Sequence, residues 1–173
     1  MANETDEPGA EDYSRGMGGQ ALGARLRRLS ERIDRDGAAV YAARGVRFEQ
    51  RWFGVVNQMI LKGPTTVGEI AATMRITHVS VSQACRSLET AGVIASTPDP
   101  ADARRRVLTL TARGQALVAE LAPLWAAFNA AAAELNAEAG DAVAVLDRLD
   151  DALARRSMAD RIADQIVRQN APD

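Results

Sequence analysis

Apolar residues recur at helical spacing along most of the chain. Residues 20–43 carry a narrow apolar stripe, whereas residues 49–61 are apolar enough to predict a largely buried helix. The stripe consists of Leu22, Leu26, Leu29, Ile33 and Val40. The buried helix contains Trp52, Phe53, Val55, Val56, Met59 and Ile60. A stripe this narrow is typical of helix-on-helix packing, including packing against a second copy of the chain.

Two shorter helices follow, each marked by its capping residues. Thr66 and Glu69 have the spacing of a capping box, in which each side chain bonds the other residue's backbone amide. Thr77 is a favourable N-cap for a further helix over residues 78–91, which Gly92 ends. The two helices and the brief turn between them predict a helix-turn-helix.

Beyond Gly92 the pattern changes to a hairpin and then returns to helices. Residues 93–97 and 106–110 are predicted strands joined by a polar turn. Three terminal helical segments (20–43, 111–139 and 141–168) each have an apolar face with no evident partner. The predicted fold class is therefore mainly α with a small β-hairpin wing: a winged helix-turn-helix with N- and C-terminal dimerisation helices.

The predicted organisation has four parts, and the charge is distributed unevenly over them. We expect a disordered acidic tail (1–19), an N-terminal dimerisation helix (20–47), a winged helix-turn-helix DNA-binding domain (48–114) and C-terminal dimerisation helices (115–168). The net charge of the whole chain is only -2. The bases nevertheless outnumber the acids between residues 13 and 114, and the acids predominate at both ends. Such asymmetry indicates a surface suited to a polyanion, although charge blocks are also common on solvated surfaces.

Composition disfavours several classes of protein. Cys85 is the single cysteine and His78 the single histidine, so no cluster of these residues can bind a metal, and no cofactor is expected. We find no phosphate loop, nucleophile elbow or paired catalytic carboxylates, so an enzyme is not expected. The acidic N-terminus lacks a secretory signal, and no uninterrupted apolar run predicts a membrane span. A cytoplasmic protein without a membrane partner is the expectation.

The helix after Thr77 has two unlike faces. Val81, Ala84 or Cys85, and Leu88 recur at steps of three or four and should face the core. The residues predicted to face outward are His78, Ser80, Ser82, Gln83 and Arg86. Arginine pairs with guanine, glutamine with adenine, and serine with either bases or phosphates. For His78 the alternative is an ordinary surface position at the helix start.

Three consecutive arginines occupy the hairpin tip and its descending edge. Arg104, Arg105 and Arg106 are placed to enter a minor groove, where an arginine senses the groove width and its potential. Asp102 is close enough in sequence to hold one guanidinium by a two-pronged bond. The alternative is a solvated edge whose charges prevent aggregation of the sheet.

The segment TVGEIAATMRITHVSVSQACRSLETAGVIASTPDPADARRRVLTLTARG resembles the winged helix of the MarR family of bacterial transcriptional regulators. The likeness is carried by Leu88-Glu89, Ala91-Gly92, Asp102-x-Arg104 and Leu110-Thr111-x-x-Gly114. It implies that Asp102 and Arg104 form the wing pair, with the arginine reaching DNA. This sequence departs from the family at Ala103, where another arginine is frequent. The flanking helices fit the dimerisation region of the family.

The resemblance also implies a pocket for a small, often phenolic ligand. The candidate lining residues are Tyr41, Phe48, Trp52, Phe53, Trp125 and Phe128. The sequence alone favours ordinary core aromatics. Cys85 lies on the inward helix face and is read as a small buried hydrophobe, with redox sensing as the alternative.

The predicted function is that of a sequence-specific regulator of transcription. A homodimer would bind double-stranded DNA at a pseudo-palindromic site, one recognition helix in each of two successive major grooves. Control by a small aromatic ligand is a further hypothesis. The alternative is a winged-helix protein-interaction module that does not read DNA.

Overall fold

The computed structural model describes residues 12–100, 102 and 105–170. Its helices are α1 (Leu22–Ala43), α2 (Gln50–Lys62), α3 (Val67–Met74), α4 (His78–Thr90), α5 (Ala112–Glu138), α6 (Ala142–Arg155) and α7 (Met158–Gln169). The strands are β1 (Ile94–Pro98) and β2 (Arg106–Leu110). The chain divides between Gln115 and Ala116 into two compact units.

The predicted capping residues define the helix-turn-helix. The Thr66 hydroxyl accepts a hydrogen bond from the Glu69 amide at 3.2 Å, and the Glu69 carboxylate accepts one from the Thr66 amide at 2.9 Å. Thr77 caps α4 by accepting from the Ser80 amide. Between the helices Arg75 adopts a left-handed conformation (φ 54°), which turns the chain sharply. The predicted capping box and N-cap are confirmed.

The hairpin is a two-stranded antiparallel sheet. Its register pairs Ile94 with Leu110 and Pro98 with Arg106. The strand-like residue Thr65, just before α3, also pairs with β2, because its amide and carbonyl exchange hydrogen bonds with Leu108 at 3.2 and 2.7 Å. The sequence pattern did not indicate this third segment, which joins the wing to the start of the helix-turn-helix.

The core of the first unit lies mainly between α2, α3, α4 and the wing. Its residues include Trp52, Val55, Val56, Met59, Ile70, Val81, Leu88, Val93, Ile94 and Leu108, all at most 3% exposed. Ile60 was predicted to be buried with its neighbours on α2 but is 43% exposed. The prediction was wrong for Ile60 because one side of α2 remains exposed to solvent, and Ile60 lies on that side.

The start of α5 is held close to the end of α4. The Thr111 hydroxyl accepts from the Gly114 amide at 3.0 Å and donates to the Gly92 carbonyl at 2.7 Å. The Thr111 amide also donates to the Val93 carbonyl at 3.0 Å. Gly114 consequently lies against the Val93 backbone, so close that a Cβ atom would be only 2.1 Å from its carbonyl oxygen. The Thr111-x-x-Gly114 motif thus fixes a close backbone crossing.

The disordered tail predicted over residues 1–19 includes residues that have defined structure. Residues 1–11 lie outside the described residues, but residues 12–19 are described, with short 3₁₀ turns at Tyr13–Arg15 and Gly18–Ala21. Asp12 caps the first turn and accepts a hydrogen bond from the Arg28 guanidinium of α1 at 2.8 Å. That bond, together with one from Ser14, holds the pKa of the Asp12 carboxyl well below its ordinary value. This long-range ion pair has no counterpart in the local pattern, which is why the prediction was wrong for these residues.

The predicted single helix over residues 141–168 is two helices. Arg156 is extended (φ -154°, ψ 119°), which ends α6, and the Ser157 hydroxyl caps α7 by accepting from the Asp160 amide at 3.1 Å. The apolar pattern continues across the break, so the hydrophobic spacing hid it. The Ser-x-x-Asp spacing was the available signal.

Both terminal regions expose apolar residues. On α1 the stripe residues Leu22, Leu26, Leu29 and Ile33 are 37–56% exposed. In the second unit the exposed set is Leu135, Val143, Val145, Leu146, Leu153, Met158, Ile162, Ile166 and Val167. Exposure on this scale is typical of surfaces that a partner covers.

Helix α5 is long and apolar enough, by length and composition alone, to cross a membrane. Its most apolar 18-residue window has a mean hydropathy of 1.4 and is 17% buried, and alanine supplies much of that value. One such helix is weak evidence, since a mostly buried core helix of a soluble protein can be equally long and apolar. The helix continues through Pro123, which lacks an amide hydrogen to donate. The expectation of no membrane partner stays a prediction.

Candidate nucleic-acid interface

Helix α4 separates a buried face from an exposed polar face, as its sequence pattern predicts. Val81, Ala84, Cys85 and Leu88 are all at most 4% exposed. The predicted outward residues His78, Ser80, Gln83 and Arg86 are exposed, and Ser82 is half-buried. The inward face is confirmed, and the structure places the five outward residues where a partner can reach them. Their role in binding stays a prediction.

Hydrogen bonds order part of the outward face. The Ser82 hydroxyl lies 3.3 Å from Nδ1 of His78, one turn earlier. Nε of Arg86 donates to the Ser82 carbonyl at 3.3 Å, one turn later. These three residues therefore form a row along α4. Ser80 differs, because its hydroxyl lies 2.8 Å from that of Thr77 and so belongs to the helix cap.

Helix α4 is also anchored to the start of α2. The Ser87 hydroxyl donates to the Glu49 carboxylate at 3.2 Å. Nε of Arg51 donates to the same carboxylate at 2.5 Å, and its Nη2 donates to the Ser87 hydroxyl at 3.4 Å. Together with burial of four α4 side chains, these bonds fix the rotation of α4 about its axis. The orientation of its outward face is thereby fixed as well.

The two described wing arginines are held by neighbouring residues. Arg106 donates from Nε to the Ser96 hydroxyl at 2.5 Å and from Nη2 to the Ser96 carbonyl at 2.6 Å, across the hairpin. Nη2 of Arg105 donates to the Glu69 carboxylate at 3.1 Å, and its Nε lies 3.9 Å from the Asp99 carboxylate. Both side chains are thus positioned on the wing while remaining partly exposed.

The predicted wing pair falls partly outside the described residues. Arg104 lies outside them, as does Ala103, so pairing of Arg104 with Asp102 stays a prediction. The carbonyl of Asp102 accepts a hydrogen bond from the Arg105 amide at 2.8 Å.

A groove of about 610 Å³ opens where α3, α4 and the wing meet. It is lined by Thr66, Val67, Gly68, Glu69, Ala72, His78, Arg105 and Arg106. Three of the predicted binding residues, His78, Arg105 and Arg106, therefore share one concave surface. The amino terminus of α3 contributes positive backbone amides to the same surface.

The Glu69 carboxylate links the start of α3 to the wing. The pKa of this carboxyl lies below the ordinary value of 4.5, mainly because the Thr66 backbone amide donates a hydrogen bond to it. Hydrogen bonds with the Thr66 and Thr65 side chains and the nearby positive charge of Arg105 lower the pKa further. A carboxyl whose pKa is lower in the folded state than in the unfolded state stabilises the fold at pH values above the unfolded-state pKa. This stabilisation is lost as the pH falls through the folded-state pKa.

We therefore expect Glu69→Gln to lower the free energy of unfolding by about 0.5–1 kcal/mol near pH 7. The difference from wild type should shrink as the pH falls below the ordinary glutamate pKa of 4.5, because wild type then loses the same charge. Urea unfolding at pH 7 and pH 3.5 measures both. A difference that does not depend on pH would contradict the role assigned to the carboxylate charge.

Cys85 is one of the four residues of the buried face of α4 and is 3% exposed. Burial, followed by the nearby Glu89 charge, raises the pKa of its thiol to about 11. The thiolate is the reactive form of cysteine. Redox sensing is consequently disfavoured, and the structure supports the buried hydrophobe.

The expected result is slow alkylation of Cys85 in the native protein. At pH 8 iodoacetamide should react more than a hundredfold faster after unfolding in guanidinium chloride, because unfolding restores an ordinary thiol pKa near 8.5. Mass spectrometry of timed samples gives both rates. Equal rates would show that the thiol is accessible and ionised in the folded chain.

The candidate ligand-binding aromatics of the first unit are tightly packed. The Tyr41 and Phe48 rings lie 5.0 Å apart, and Phe48 meets Trp52 edge-on at 5.6 Å. These three residues are 1–6% exposed, and Phe53 is half-buried. In the second unit Trp125 is buried and Phe128 is half-buried. The packing favours core roles for Tyr41 and Phe48.

The side chain of Trp52 has an additional property. Its indole nitrogen is buried and has no hydrogen-bond partner within the described part of the chain. A buried donor left unpaired costs about 1–3 kcal/mol.

Within the described part of the chain, no group of three or more His, Cys, Asp or Glu side chains could hold a metal ion.

Two exposed apolar residues near the helix-turn-helix were missed from the sequence. Ile76, in the turn, is 43% exposed, and Val79, in the first turn of α4, is 62% exposed. Both types of residue are ordinarily assigned to cores, so they were not placed on the binding face. For Val79, its position opposite the predicted buried face of α4 was the available signal.

The outward helix face, the adjoining arginine-bearing wing and the capped short helix are arranged as in a winged helix-turn-helix. The model of the MarR family matches residues 48–105. The resemblance to the MarR family is confirmed. The matched segment runs from just before α2 to Arg105 in the wing, and thus contains the described interface residues except Arg106. Among curated proteins, none matches the chain at a significant level.

Several solved structures share the fold, and one of them is a MarR family regulator. A MarR family regulator from Neisseria meningitidis has a TM-score of 0.55 and 23% identity, covering 88% of this chain and 97% of that one. The MepR–DNA complex of Staphylococcus aureus has a TM-score of 0.63 and 18% identity, covering 76% and 97%. BpsR of Bordetella bronchiseptica, whose DNA binding is regulated by 6-hydroxynicotinic acid, has a TM-score of 0.53 and 23% identity, covering 75% and 91%. The chain therefore has the fold of MarR family transcriptional regulators.

Proposed function

We propose that this protein is a sequence-specific regulator of transcription that binds double-stranded DNA as a homodimer. The observation that carries the proposal is the outward face of α4, where Gln83 and Arg86 are exposed opposite four buried residues. An α-helix of this kind fits the major groove, and amide and guanidinium groups pair with adenine and guanine there. The MepR–DNA complex, with the same fold, supports the assignment.

The wing supplies a second contact beside the helix. Arg105 and Arg106 lie on the hairpin adjoining α4, and Arg104 precedes them in sequence. We propose that Asp102 orients Arg104, and that Arg104 enters the minor groove next to the major groove read by α4. Arg105 and Arg106, already held by Glu69 and Ser96, would contact phosphates with their exposed edges.

A second copy would cover the exposed apolar residues of the terminal regions. Four stripe residues of α1 and nine residues of the second unit are exposed without a partner in the single chain. A symmetric dimer presents two equivalent α4 helices and therefore selects a pseudo-palindromic site. The proposed duplex DNA partner supports a cytoplasmic location, which is part of the proposal.

A protein-interaction module on the same scaffold is the alternative. Such a module would be expected to present an acidic or broadly apolar face on α4. The observed face is mainly polar and contains no acidic residue among His78, Ser80, Ser82, Gln83 and Arg86. Its character favours DNA.

Selection from random duplex DNA tests the proposal. We expect the enriched sequences to share a two-fold consensus, with half-sites about one helical turn apart. Affinity for the selected duplex should fall steeply as salt increases from 50 to 200 mM, because bound phosphates release counterions. No enriched sequence, together with affinity that does not depend on salt, would leave the interaction module as the better assignment.

We further propose that a small aromatic ligand controls DNA binding through Trp52. Its unpaired indole nitrogen is a buried donor that a ligand oxygen could satisfy, which supports a site there. The BpsR structure provides a precedent for such control in this fold. Titration with hydroxylated aromatic acids should quench tryptophan fluorescence and weaken binding to the selected duplex. Quenching in Trp52→Phe equal to that in wild type would exclude Trp52 as the contact.

A further inference from the structure

Val79 is a conspicuous exception on the outward face of α4. It is 62% exposed, whereas the other aliphatic residues of this helix, Val81, Ala84 and Leu88, are at most 4% exposed. It follows His78 in the first turn, at the end of the helix nearest the groove and the wing. Its two methyl groups therefore lie on the surface that the proposed function assigns to DNA.

The helical geometry puts Val79 at the centre of this face. At about 100° per residue, the four buried side chains are centred about 170° from Val79 around the helix axis. Gln83 and Arg86 lie within about 40° of Val79, one and two turns further along. His78 and Ser80 lie about 100° to either side. The position that points most directly away from the core is thus apolar, and the polar side chains of Gln83 and Arg86 lie beside it.

We infer that Val79 contacts a thymine methyl group in the major groove and so sets part of the sequence preference. The inference rests on the proposed function and names one base that the site reads. The thymine C5-methyl group is the apolar feature of the major groove, and valine cannot bond the polar base edges or the phosphates. Because valine has one strongly preferred rotamer in a helix, its methyl groups are held in place before binding.

Replacement of thymine by uracil tests the contact without changing base pairing. In the selected duplex each thymine is replaced in turn, which removes only the C5-methyl group. We expect one thymine in each half-site at which uracil weakens wild-type binding about fourfold, the effect of one buried methyl-sized group, and about fifteenfold when both half-sites change. Val79→Ala should bind the thymine duplex more weakly and should no longer distinguish uracil from thymine there.

Matched controls separate the contact from indirect effects. Leu61→Ala removes a similarly exposed apolar side chain (69%) from α2 and should leave the uracil effect unchanged. Val79→Thr keeps one methyl group and should retain a reduced effect. Because Val79 is exposed, the melting temperature of each Val79 variant should match that of wild type.

The outcomes distinguish this inference from the proposed function. A specific duplex whose binding never depends on a thymine methyl group would overturn the inference alone. The same conclusion follows if Val79→Ala keeps the full wild-type sensitivity to uracil. Failure of the random pool to yield any specific duplex would overturn the proposed function and, with it, this inference.

Discussion

Gly114→Ala is expected to lower the free energy of unfolding by about 2 kcal/mol, although alanine is the better helix former. A Cβ atom at this position would lie 2.1 Å from the Val93 carbonyl oxygen and 3.1 Å from the Val93 carbonyl carbon. The obstacle is backbone, so α5 must move away from the end of α4, and overpacking of this kind typically costs 1–3 kcal/mol. That cost exceeds the gain of about 0.5–1 kcal/mol that alanine ordinarily gives in a helix.

Thermal unfolding at one fixed protein concentration measures the effect. For a chain of this length we expect the melting temperature to fall by about 4–8 °C. Gly68→Ala is the matched control, because Gly68 is also helical but a Cβ atom there would meet only the Thr66 hydroxyl, at 4.0 Å. That variant should be unchanged or slightly more stable. A Gly114→Ala protein as stable as wild type would show that the crossing of α5 over Val93 is looser than described.

Arg86→Ala is expected to weaken binding to the selected duplex by about ten- to a hundredfold. Arg86 is exposed on the outward face, two turns beyond Val79, and its Nε donates to the Ser82 carbonyl, which restricts the guanidinium before binding. A bidentate contact from arginine to guanine contributes about 1–3 kcal/mol of discrimination. The loss should therefore be larger for the selected duplex than for random DNA, and preference should relax at one position of each half-site.

Fluorescence anisotropy with the selected and random duplexes compares the two affinities at equal salt. Arg148→Ala is the matched control, since it removes the same charge from an exposed position on α6 in the second unit. Its affinity for either duplex should change less than twofold. Equal losses for the selected and random duplexes in Arg86→Ala would assign Arg86 to phosphate and not to a base.

Local interactions explain why much of the helix-turn-helix could be predicted. The bonds between Thr66 and Glu69, and between Thr77 and Ser80, join residues three apart. Such short spacings are visible in the sequence because the helix itself brings the two residues together. The buried face of α4 was predictable for the same reason, since its four residues recur at three and four positions.

Failures of prediction share a different cause. The Asp12–Arg28 pair extends order into the expected tail, but its residues are 16 apart. Ile60 was misplaced because the pattern of α2 indicates a buried helix without indicating which side stays open. The break between α6 and α7 was missed because apolar spacing continues across Ser157, although its capping signal was present.

By itself, the sequence determined the order of the helices as far as α5, the caps of α3 and α4, the hairpin and the polar character of the α4 outward face. Each of these depends on residues close together along the chain. Only the tertiary structure decided that Arg105 bonds Glu69, 36 residues away, and that Thr65 joins β2. It likewise decided that Gly114 lies against Val93. These outcomes depend on how separate elements pack, because a side chain's burial and distant partners are fixed only when the elements around it are in place.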